Sequence, residues 1–591
     1  MSRWYRVGIV AAFVGLDVAF PAAVFLLVLR TIAQPLLSHV DAVAVAPLYV
    51  GTGDGNGEAW FYWWLHRAVV SGGVIDHPDV ICAPRGLDLG NNFPTRVDAW
   101  LALPFFHYLP FPRSFNAAAV AVLGANMFGA WLGLRAIRAA PPVAVLAAAV
   151  VGASDYAIYD ISLGHNANAL VGPAFAFMGA WAAVAEGRWA WAPVAAISAM
   201  ITVFAYPPFA LVLAPVAALQ TLFGLVPREG RLRRVGGAFV AGLPALAAAR
   251  SVSSDLSARG FTHANATVNA ENWRALRADS LTWEWPIRVA KEFNDHHAWL
   301  PTAFLLAGAL VVFGRWRSLG WAVATVYLYV LSLGGVVMEA TMHGDSPLHW
   351  RGGVLTLPLA AAIKAWPTLV QLRPYRFAPL VAGALAFAIG SATRFDPPLR
   401  PTVSKWQRIP WRPTLTTLAA SVALFLAVRQ ARDDGHLLIT TQPWVVPPAI
   451  TWLADQEGDF ALIEMPMGQG QGYGAMQVVH GKRRSEGHHD VSEDVRGRLD
   501  APAACYTDDL VRALWSLERG SSLPSDMHAL RASASANGFR YVVVYRSLLK
   551  KGTDGPRHAA QILAGLYEAF GAAVRDDGDI AIYDIAGART P

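Results

Sequence analysis

A glycine-rich acidic turn followed by aromatic residues is the part of the sequence best suited to chemistry. Residues 51–58 read GTGDGNGE, so the carboxylates of Asp54 and Glu58 lie where glycines let the backbone approach a ligand closely. These carboxylates could act as a general base or bind a divalent cation, and the tryptophans at 60–64 suit the level of lipid headgroups. The alternative is a flexible loop with solvated acids that leads into an interfacial helix.

A second polar segment, 154–166, reads SDYAIYDISLGHN and lies between two apolar runs. Its Asp155, Asp160 and His165 are candidates to face Asp54, because the segment is a short loop at the mouth of the predicted helix bundle. The alternative is ordinary hydration of a turn between two membrane helices.

Two arginines next to an apolar run, Arg373 and Arg376, could bind phosphate, and Arg351 precedes them. A guanidinium group binds phosphate in a bidentate manner, as in a lipid-phosphate or a pyrophosphate. Anchoring to lipid headgroups is the alternative. Asp17 lies inside the first apolar run, where a neutral, hydrogen-bonded packing residue is the favoured interpretation.

Other segments carry weaker signals. Histidine clusters occur at 295–297, 343–345 and 486–490. None has the H-E-x-x-H spacing of a zinc protease, and the glycine-rich 468–474 lacks the Lys-Ser or Lys-Thr of a phosphate-binding loop. The two cysteines, Cys82 and Cys505, exclude a disulfide-rich scaffold and a four-cysteine zinc site. Since both are predicted on the outer side, a disulfide between them is a hypothesis.

The composition indicates a polytopic membrane protein. Of the 591 residues, 54% are hydrophobic and 15% are charged, against about 25% charged residues in a soluble domain. The mean hydropathy is +0.36, and apolar runs of about 20 residues, enough to cross a bilayer, recur up to about position 430. This excludes a soluble enzyme, a disordered chain and a nucleic-acid-binding module.

The apolar runs predict about 11 transmembrane helices. Their approximate bounds are 7–30, 114–134, 142–157, 167–185, 189–206, 207–226, 235–250, 299–314, 318–338, 377–393 and 413–429. The first run is too long for a signal peptide and is interpreted as a retained helix. With the amino terminus in the cytoplasm, the short inner segments carry an excess of Arg and Lys. The pI near 9.3 therefore reflects orientation, and no nucleic-acid partner is expected.

This topology divides the chain into two predicted domains. Residues 1–430 form the membrane domain, whose outer loops are 31–113, 251–298 and 339–376, with a re-entrant or surface helix at 353–370. Residues 431–591 form an α/β domain outside the cytoplasm, because predicted strands alternate there with predicted helices. The strands are expected at 460–464, 540–545 and 579–583, and the helices at 447–456, 507–519, 525–537 and 557–571.

The order of these motifs resembles the GT-C glycosyltransferases, which include protein mannosyltransferases, oligosaccharyltransferases and the aminoarabinose transferases of lipid A. The resemblance is greater to a bacterial branch of GT-C-like membrane proteins and covers most of positions 1–393. The matching elements are Gly53-Asp54 with WFYWW at 60–64, APRG at 83–86, LALP at 101–104, GHNAN at 164–168 and RPYRF at 373–377.

The resemblance implies a mainly α, GT-C-like bundle and a transferase that takes its sugar from a polyprenyl-phosphate donor. Asp54 would be the catalytic acid, which activates the acceptor or helps to hold Mg²⁺ or Mn²⁺, and Glu58 would assist it. The residues that would bind substrate are Asp155, Asp160, His165, Asn166, Arg373 and Arg376. The acceptor would be a glycan, lipid or protein of the cell envelope, at the outer face of the bacterial cytoplasmic (inner) membrane.

Two other functions stay open at this point. A transporter or flippase of lipid-linked glycans would need a polar path across the bilayer, whereas the ionisable residues cluster at the predicted outer mouth, Asp17 excepted. No clear inverted repeat favours transport. A non-catalytic envelope scaffold is the other alternative.

Overall fold

The computed structural model describes most of the chain. The described residues are 18–38, 42–43, 55–87, 96–225, 231–258, 300–308, 316–334, 338–341, 344–347, 349–350, 353–354, 356–365, 374–394, 411–433, 439, 441–467, 470–485, 505–549 and 555–586. Several features singled out in the sequence lie outside them: Asp17, Asp54, Arg351, Arg373, the histidines of the three clusters and the loop residues 259–298.

Helices dominate the chain up to residue 433. They are α1 (Phe20–Ser38), α2 (Gly55–Ser71), α3 (Val97–Tyr108), α4 (Arg113–Ala136), α5 (Pro141–Gly152), α6 (Asp155–Leu163), α7 (Asn166–Ala169), α8 (Gly172–Ala185), α9 (Ala192–Ala205), α10 (Pro207–Gly224), α11 (Arg231–Ala258), α12 (Thr302–Gly308), α13 (Trp316–Ser332), α14 (Pro358–Ala365), α15 (Ala378–Ala392) and α16 (Trp411–Asp433). Short strands pair as β2 (Met338–Thr341) with β3 (Gly344–Pro347) and β4 (His349–Trp350) with β5 (Gly353–Val354).

The chain is an integral membrane protein by the length and apolarity of its helices. In the described part, five helical units are long and apolar enough to cross a bilayer: 113–136, 141–163, 166–185, 207–224 and 374–392. Shorter apolar helices lie at 20–36, 189–205 and 318–332. The total of about 11 spans and the orientation of the bundle stay predictions.

Small residues allow the central helices to cross closely. Gly129 and Gly133 of α4 lie against α8, which contributes Gly172 and Gly179 to the crossing, and a Cβ at any of the four would overlap backbone atoms of the facing helix. Close backbone approach matters in a membrane because lipid tails compete with apolar side chains, so that packing and hydrogen bonds hold the helices together.

The predicted loop 154–166 is wrong, since most of it is helical. The Ser154 side chain caps α6 by accepting from the N–H of Ala157 (3.4 Å), and α6 ends at Gly164, whose φ is +83°. Ser and Gly are common in loops and at helix ends alike, so the residues favoured both interpretations. Helix α6 follows directly after α5, from which it is separated by a break at residues 153–154.

The end predicted for the first span is also wrong. The helix α1 continues eight residues beyond position 30, to Ser38, and contains Pro35. Arg30 is exposed on the helix surface and does not interrupt the helix. The apolar segment predicted to be re-entrant contains α14, whose 8 residues span about 12 Å, less than a bilayer core.

The carboxyl-terminal region forms a β-sheet with helices packed against it. The strand order is β10-β11-β9-β7-β8, with β7 parallel to β8 and β9, and β11 antiparallel to β9 and β10. The predicted strands correspond to β7, β9 and β11. The bounds are β7 (Ala461–Met465), β8 (Arg483–Arg484), β9 (Phe539–Tyr545), β10 (Arg575–Asp576), β11 (Ile580–Asp584), α17 (Pro448–Ala454), α18 (Gly474–His480), α19 (Asp509–Glu518), α20 (Met527–Ala536), α21 (Arg546–Leu549) and α22 (Gly555–Phe570).

Helices cover both faces of this sheet. Val542 and Val544 of β9 pack towards α19 and α22, whereas Tyr541, Val543 and Tyr545 pack towards α17 and α18. The alternation follows from the period of two along a strand, and burial on both faces explains why the strand is almost continuously apolar.

The segment between α2 and α3 extends the edge of this sheet. The N–H of Arg484 donates to the carbonyl of Val80 (3.0 Å), and the N–H of Ala83 donates to the carbonyl of Arg484 (2.9 Å). Cys82 forms a disulfide with Cys505, as hypothesised from the sequence. A second junction pairs β1 (Ala42–Val43) with β6 (Gln442–Pro443). The carboxyl-terminal region is therefore joined both covalently and by backbone hydrogen bonds to the segments around α2.

Candidate active site

The glycine-rich turn leads directly into α2, which begins at Gly55, one residue after Asp54. Asn56 and Glu58 are buried in the first turn of this helix. Gly474 of α18 packs against the same turn so closely that a Cβ there would lie 2.5 Å from the carbonyl oxygen of Asn56. The carboxyl-terminal region therefore supports the helix that follows the predicted catalytic residue.

Glu58 links α2 to the second polar segment. Its carboxylate forms an ion pair with Arg96, and its Oε1 accepts from the backbone N–H of Ala167 (3.4 Å) in α7. Arg96 also donates to Asp98, from Nη2 to Oδ2 (2.9 Å) and from Nε to Oδ1 (3.2 Å). Because a guanidinium balances its charge, Glu58 fits a positioning role better than that of a free base.

Asp98 is the buried centre of the neighbouring hydrogen bonds. Besides binding Arg96, its Oδ2 accepts from the hydroxyl of Tyr62 (2.8 Å). Burial, and then the negative charge of Asp98, hold the pKa of Tyr62 well above its usual range, so the phenol remains a donor. This arrangement orients α2 against the start of α3.

Asp160 lies in α6 and is fully buried. Its Oδ1 is 3.6 Å from Nδ1 of His165, and its backbone carbonyl accepts from the N–H of His165 (2.8 Å). Neither carboxylate oxygen of Asp160 has a hydrogen-bond partner among the described residues. A buried carboxylate usually has a cation or a donor nearby, which makes its surroundings a candidate for ligand binding.

Arg376 provides the nearby cation. Its Nε donates to the hydroxyl of Tyr375 (3.1 Å), and its Nη1 donates to the hydroxyl of Tyr206 (3.2 Å) at the start of α10. The guanidinium carbon lies 5.2 Å from the centre of the Tyr206 ring. Asp160 and Tyr156 are within electrostatic range of Arg376. The group therefore combines one cation, one carboxylate and three phenols at one end of the bundle, which we call the acidic end.

The structure separates two of the predicted acids. Asp155 and Asp160 are five positions apart on α6, a rotation of about 140° around a helix, so they face different sides. Asp155 borders an apolar cavity formed with Val28, Leu300 and Val428. Asn166 is fully buried beside Tyr62, on the same side as Glu58. Of the predicted site, the structure thus brings together Glu58 with the 165–169 turn, and Asp160 with His165 and Arg376.

The resemblance implies a divalent cation, which would need several ligand atoms that converge on one point. Among the described residues, no three His, Cys, Asp or Glu side chains converge. Glu58 is paired with Arg96, and Asp160 with His165 supplies two donors, fewer than the six oxygen ligands typical of Mg²⁺. The described side chains alone do not fit the ion, and metal binding at Asp54 stays a prediction.

Sequence reasoning missed Arg96, Asp98 and the tyrosines of this site. Arg96 and Asp98 flank the start of an apolar helix, and this pairing of charges before a hydrophobic run was the available signal. Tyr206 and Tyr375 are aromatic residues at helix ends, which the sequence does not distinguish from interfacial anchors.

Among three solved structures similar to this chain, two are named as transferases of sugars, and two contain a bound polyprenyl-type lipid phosphate. The archaeal oligosaccharyltransferase AglB from Archaeoglobus fulgidus, with an inhibitory peptide and a dolichol-phosphate, is 12% identical, covering 94% of this chain and 72% of its own, at TM-score 0.45. ArnT from Cupriavidus metallidurans, bound to undecaprenyl phosphate, is 12% identical, covering 98% of both chains, at TM-score 0.45. Arabinofuranosyltransferase AftD from Mycobacteria is 14% identical, covering 89% of this chain and 36% of its own, at TM-score 0.40.

No protein-family profile and no curated protein matches the sequence. With identities of 11–14% and TM-scores below 0.5, the matches describe a shared fold in outline, and the function is argued below from the residues of this chain.

Proposed function

We propose that the chain is a membrane glycosyltransferase that moves a sugar from a polyprenyl-phosphate donor to an acceptor of the cell envelope. The observation that carries the proposal is the group at the acidic end, where the buried carboxylate of Asp160 and the guanidinium of Arg376 lie near one another together with tyrosine hydroxyls. Such donors suit a phosphate oxygen. A lipid-linked donor also suits the far side of the membrane, because nucleotide sugars are confined to the cytoplasm.

In the proposed reaction, the acceptor hydroxyl oxygen attacks the anomeric carbon while the bond from that carbon to the phosphate oxygen breaks. The hydroxyl proton passes to the carboxylate of Asp54, and the lipid phosphate leaves with the electron pair. Arg376, held by Tyr206 and Tyr375, would stabilise the charge that develops on the phosphate. Glu58 and Arg96 would hold α2, and with it the turn that carries Asp54, against α7.

The distribution of charge favours transfer over transport. In the spans 113–136, 141–163, 166–185, 207–224 and 374–392, the charged residues other than Asp155 lie close to an end of their span: Arg113, Arg135, Asp160 and Arg376. A transporter of charged lipid-linked glycans would need such groups along a path through the bilayer. The acidic end instead provides one place where donor and acceptor could meet.

The experiment is mass spectrometry of envelope glycolipids and polysaccharides from a deletion strain. The strain is complemented at matched protein level with wild type, Asp54→Asn, Arg376→Gln or the control Asp79→Asn, which changes an exposed acid between α2 and α3. We expect one sugar to vanish on deletion and to return with wild type and the control. With Asp54→Asn or Arg376→Gln it should stay absent while the lipid-linked donor accumulates. Full restoration by Asp54→Asn would overturn the catalytic assignment.

Metal dependence is tested separately with purified protein and a synthetic lipid-phosphate sugar. The Archaeoglobus oligosaccharyltransferase has been solved with Zn and sulfate, so a role for a cation deserves this direct test. If Asp54 holds an ion, chelation should abolish transfer and Mg²⁺ or Mn²⁺ should restore it. Transfer that is unchanged by chelation would assign Asp54 to proton removal alone.

A further inference from the structure

The opposite end of the bundle gathers arginines around the carboxylate of Glu186, and we call it the arginine end. Glu186, just after α8, accepts from Nη2 of Arg188 (2.8 Å) and from Nη1 of Arg394 (2.9 Å to each oxygen). The side chains of these three residues are only 10–16% exposed. Two guanidinium groups thus share one carboxylate in a place with little access to water.

Further arginines lie at the same end. Arg234 of α11 donates from Nη1 to the carbonyl of Gly224 (2.8 Å) at the end of α10. Arg138 lies close enough to Arg188 to repel it. Burial lowers the pKa of Arg188 to about 10, Glu186 opposes this change, and repulsion from Arg394 and Arg138 adds to it. Guanidinium groups from several segments therefore lie near one another at this end, and such groups form strong hydrogen bonds to phosphate.

A cavity opens within this cluster. Glu186, Arg234, Gln220 and Ser391 line it together with apolar residues. Gln220 is only 7% exposed, and its Nε2 has no hydrogen-bond partner among the described residues. A buried amide donor that faces a cavity loses the free energy of a hydrogen bond unless a ligand accepts from it. The cavity therefore offers hydrogen-bond donors from two sides.

The surroundings of the cavity are apolar and exposed. Leu222, Leu232 and Leu319 lie on the helices that form it and expose 65%, 90% and 45% of their surface. Phe223 and Trp321 contribute to its wall. A phospholipid would cover the exposed leucines of these helices with acyl chains while its phosphate enters the cavity, whereas a small soluble anion would leave them uncovered.

We propose that the arginine end binds the phosphate of an anionic phospholipid. Arg234 and Gln220 would donate hydrogen bonds to the phosphate, and Arg188 and Arg394, which pair with Glu186, lie nearby. The site lies at the other end of the bundle from Asp160 and Arg376, so it is separate from the proposed transfer reaction. Its expected role is to fix the ends of α8, α10, α11 and α15 relative to one another.

The test uses the full-length protein in a neutral detergent and native mass spectrometry to count bound lipids. Phosphatidylglycerol is compared with phosphatidylcholine of the same acyl chains and with glycerol phosphate, which lacks chains. The variants are Arg234→Gln and Gln220→Leu, and Arg233→Gln is the control because it removes the same charge from the same segment. We expect wild type to retain one phosphatidylglycerol, and both variants to bind it at least about tenfold more weakly.

Three results would overturn the proposal. Equal retention of phosphatidylglycerol and phosphatidylcholine would show that the anionic headgroup is not recognised. Equal weakening by Arg234→Gln and Arg233→Gln would indicate non-specific attraction to surface charge. Binding of glycerol phosphate as tightly as the lipid would identify a soluble anion as the ligand. Thermal unfolding without lipid, measured for each variant, separates loss of the site from loss of the fold.

Discussion

Substitution of Gly474 by alanine should impair transfer although the residue lies outside the membrane bundle. Gly474 begins α18 and meets the first turn of α2 directly. An added Cβ would lie 2.5 Å from the carbonyl oxygen of Asn56 and 3.0 Å from Cβ of Trp60. Both neighbours belong to the same buried helix turn, so neither can rotate away as a flexible side chain could.

The size of the effect follows from these distances. Ordinary van der Waals contact begins at about 3.4 Å, so α18 and α2 must separate by roughly 1 Å. Overpacking of this kind typically costs about 1–3 kcal/mol of unfolding free energy. A shift of about 1 Å in a catalytic group can cost about 100-fold in rate, and Asp54 directly precedes the displaced turn. We therefore expect a loss of transfer activity out of proportion to the loss of stability.

The assay measures transfer to acceptor by purified protein, together with its thermal unfolding and the state of the Cys82–Cys505 disulfide. The matched control is Gly73→Ala, where the nearest atom to the added Cβ is the flexible Oγ of Ser71 at 3.3 Å. Gly474→Ala should transfer about 100-fold more slowly with the disulfide intact, and Gly73→Ala should resemble wild type. Wild-type activity and stability in Gly474→Ala would refute the contact between α18 and α2.

Three further predictions concern stability. Arg96→Leu leaves both Glu58 and Asp98 buried without a countercharge and should cost about 3–5 kcal/mol in unfolding free energy. Adding Glu58→Gln should recover only part of it, because Asp98 stays uncompensated; equal stability of the single and double variants would contradict the ion pair between Glu58 and Arg96. Cys82→Ser should lower the unfolding temperature of the oxidised protein to that of the reduced wild type, and unequal values would point to another role for the thiol. His480 has a pKa lowered to about 3, first by burial and then by Arg484 and Lys482, so below pH 6.5 the unfolded chain binds the proton and stability falls as pH falls towards 3. His480→Gln should reduce this slope, at most about 1.4 kcal/mol per pH unit, and an unchanged slope would exclude His480 as its source.

Local patterns predicted the elements of the carboxyl-terminal sheet well. β7, β9 and β11 occur within a residue or two of the expected positions, because runs of β-branched and aromatic residues favour buried strands. The helices α19, α20 and α22 also lie where apolar spacing placed them. By contrast, β8 consists of only two residues, both arginines, so its pairing with the segment 80–83 left no signal in the sequence.

The candidate site was predicted in its residue types more than in its arrangement. Asp160, His165 and Arg376 were all named from the sequence, and they lie at one end of the bundle in the structure. Glu58 was expected to assist catalysis, but in the structure it pairs with Arg96, which lies far along the same loop and was not named from the sequence. The separation of Asp155 from Asp160 depends on α6 being a helix, which the loop prediction did not allow.

The sequence alone determined that the chain crosses a membrane, and it located most helices and the principal strands, because hydrophobic length and periodicity are local properties. It also identified the acidic turn and the phosphate-binding candidates by residue type. Only the tertiary structure decided which charges meet: Arg96 with Glu58, Arg376 near Asp160, and Arg188 and Arg394 on Glu186. Apart from Arg188 and Glu186, which are two positions apart, these pairs join residues that are distant in the sequence. Their geometry therefore depends on how the helices pack, and buried charges require partners that local sequence does not specify.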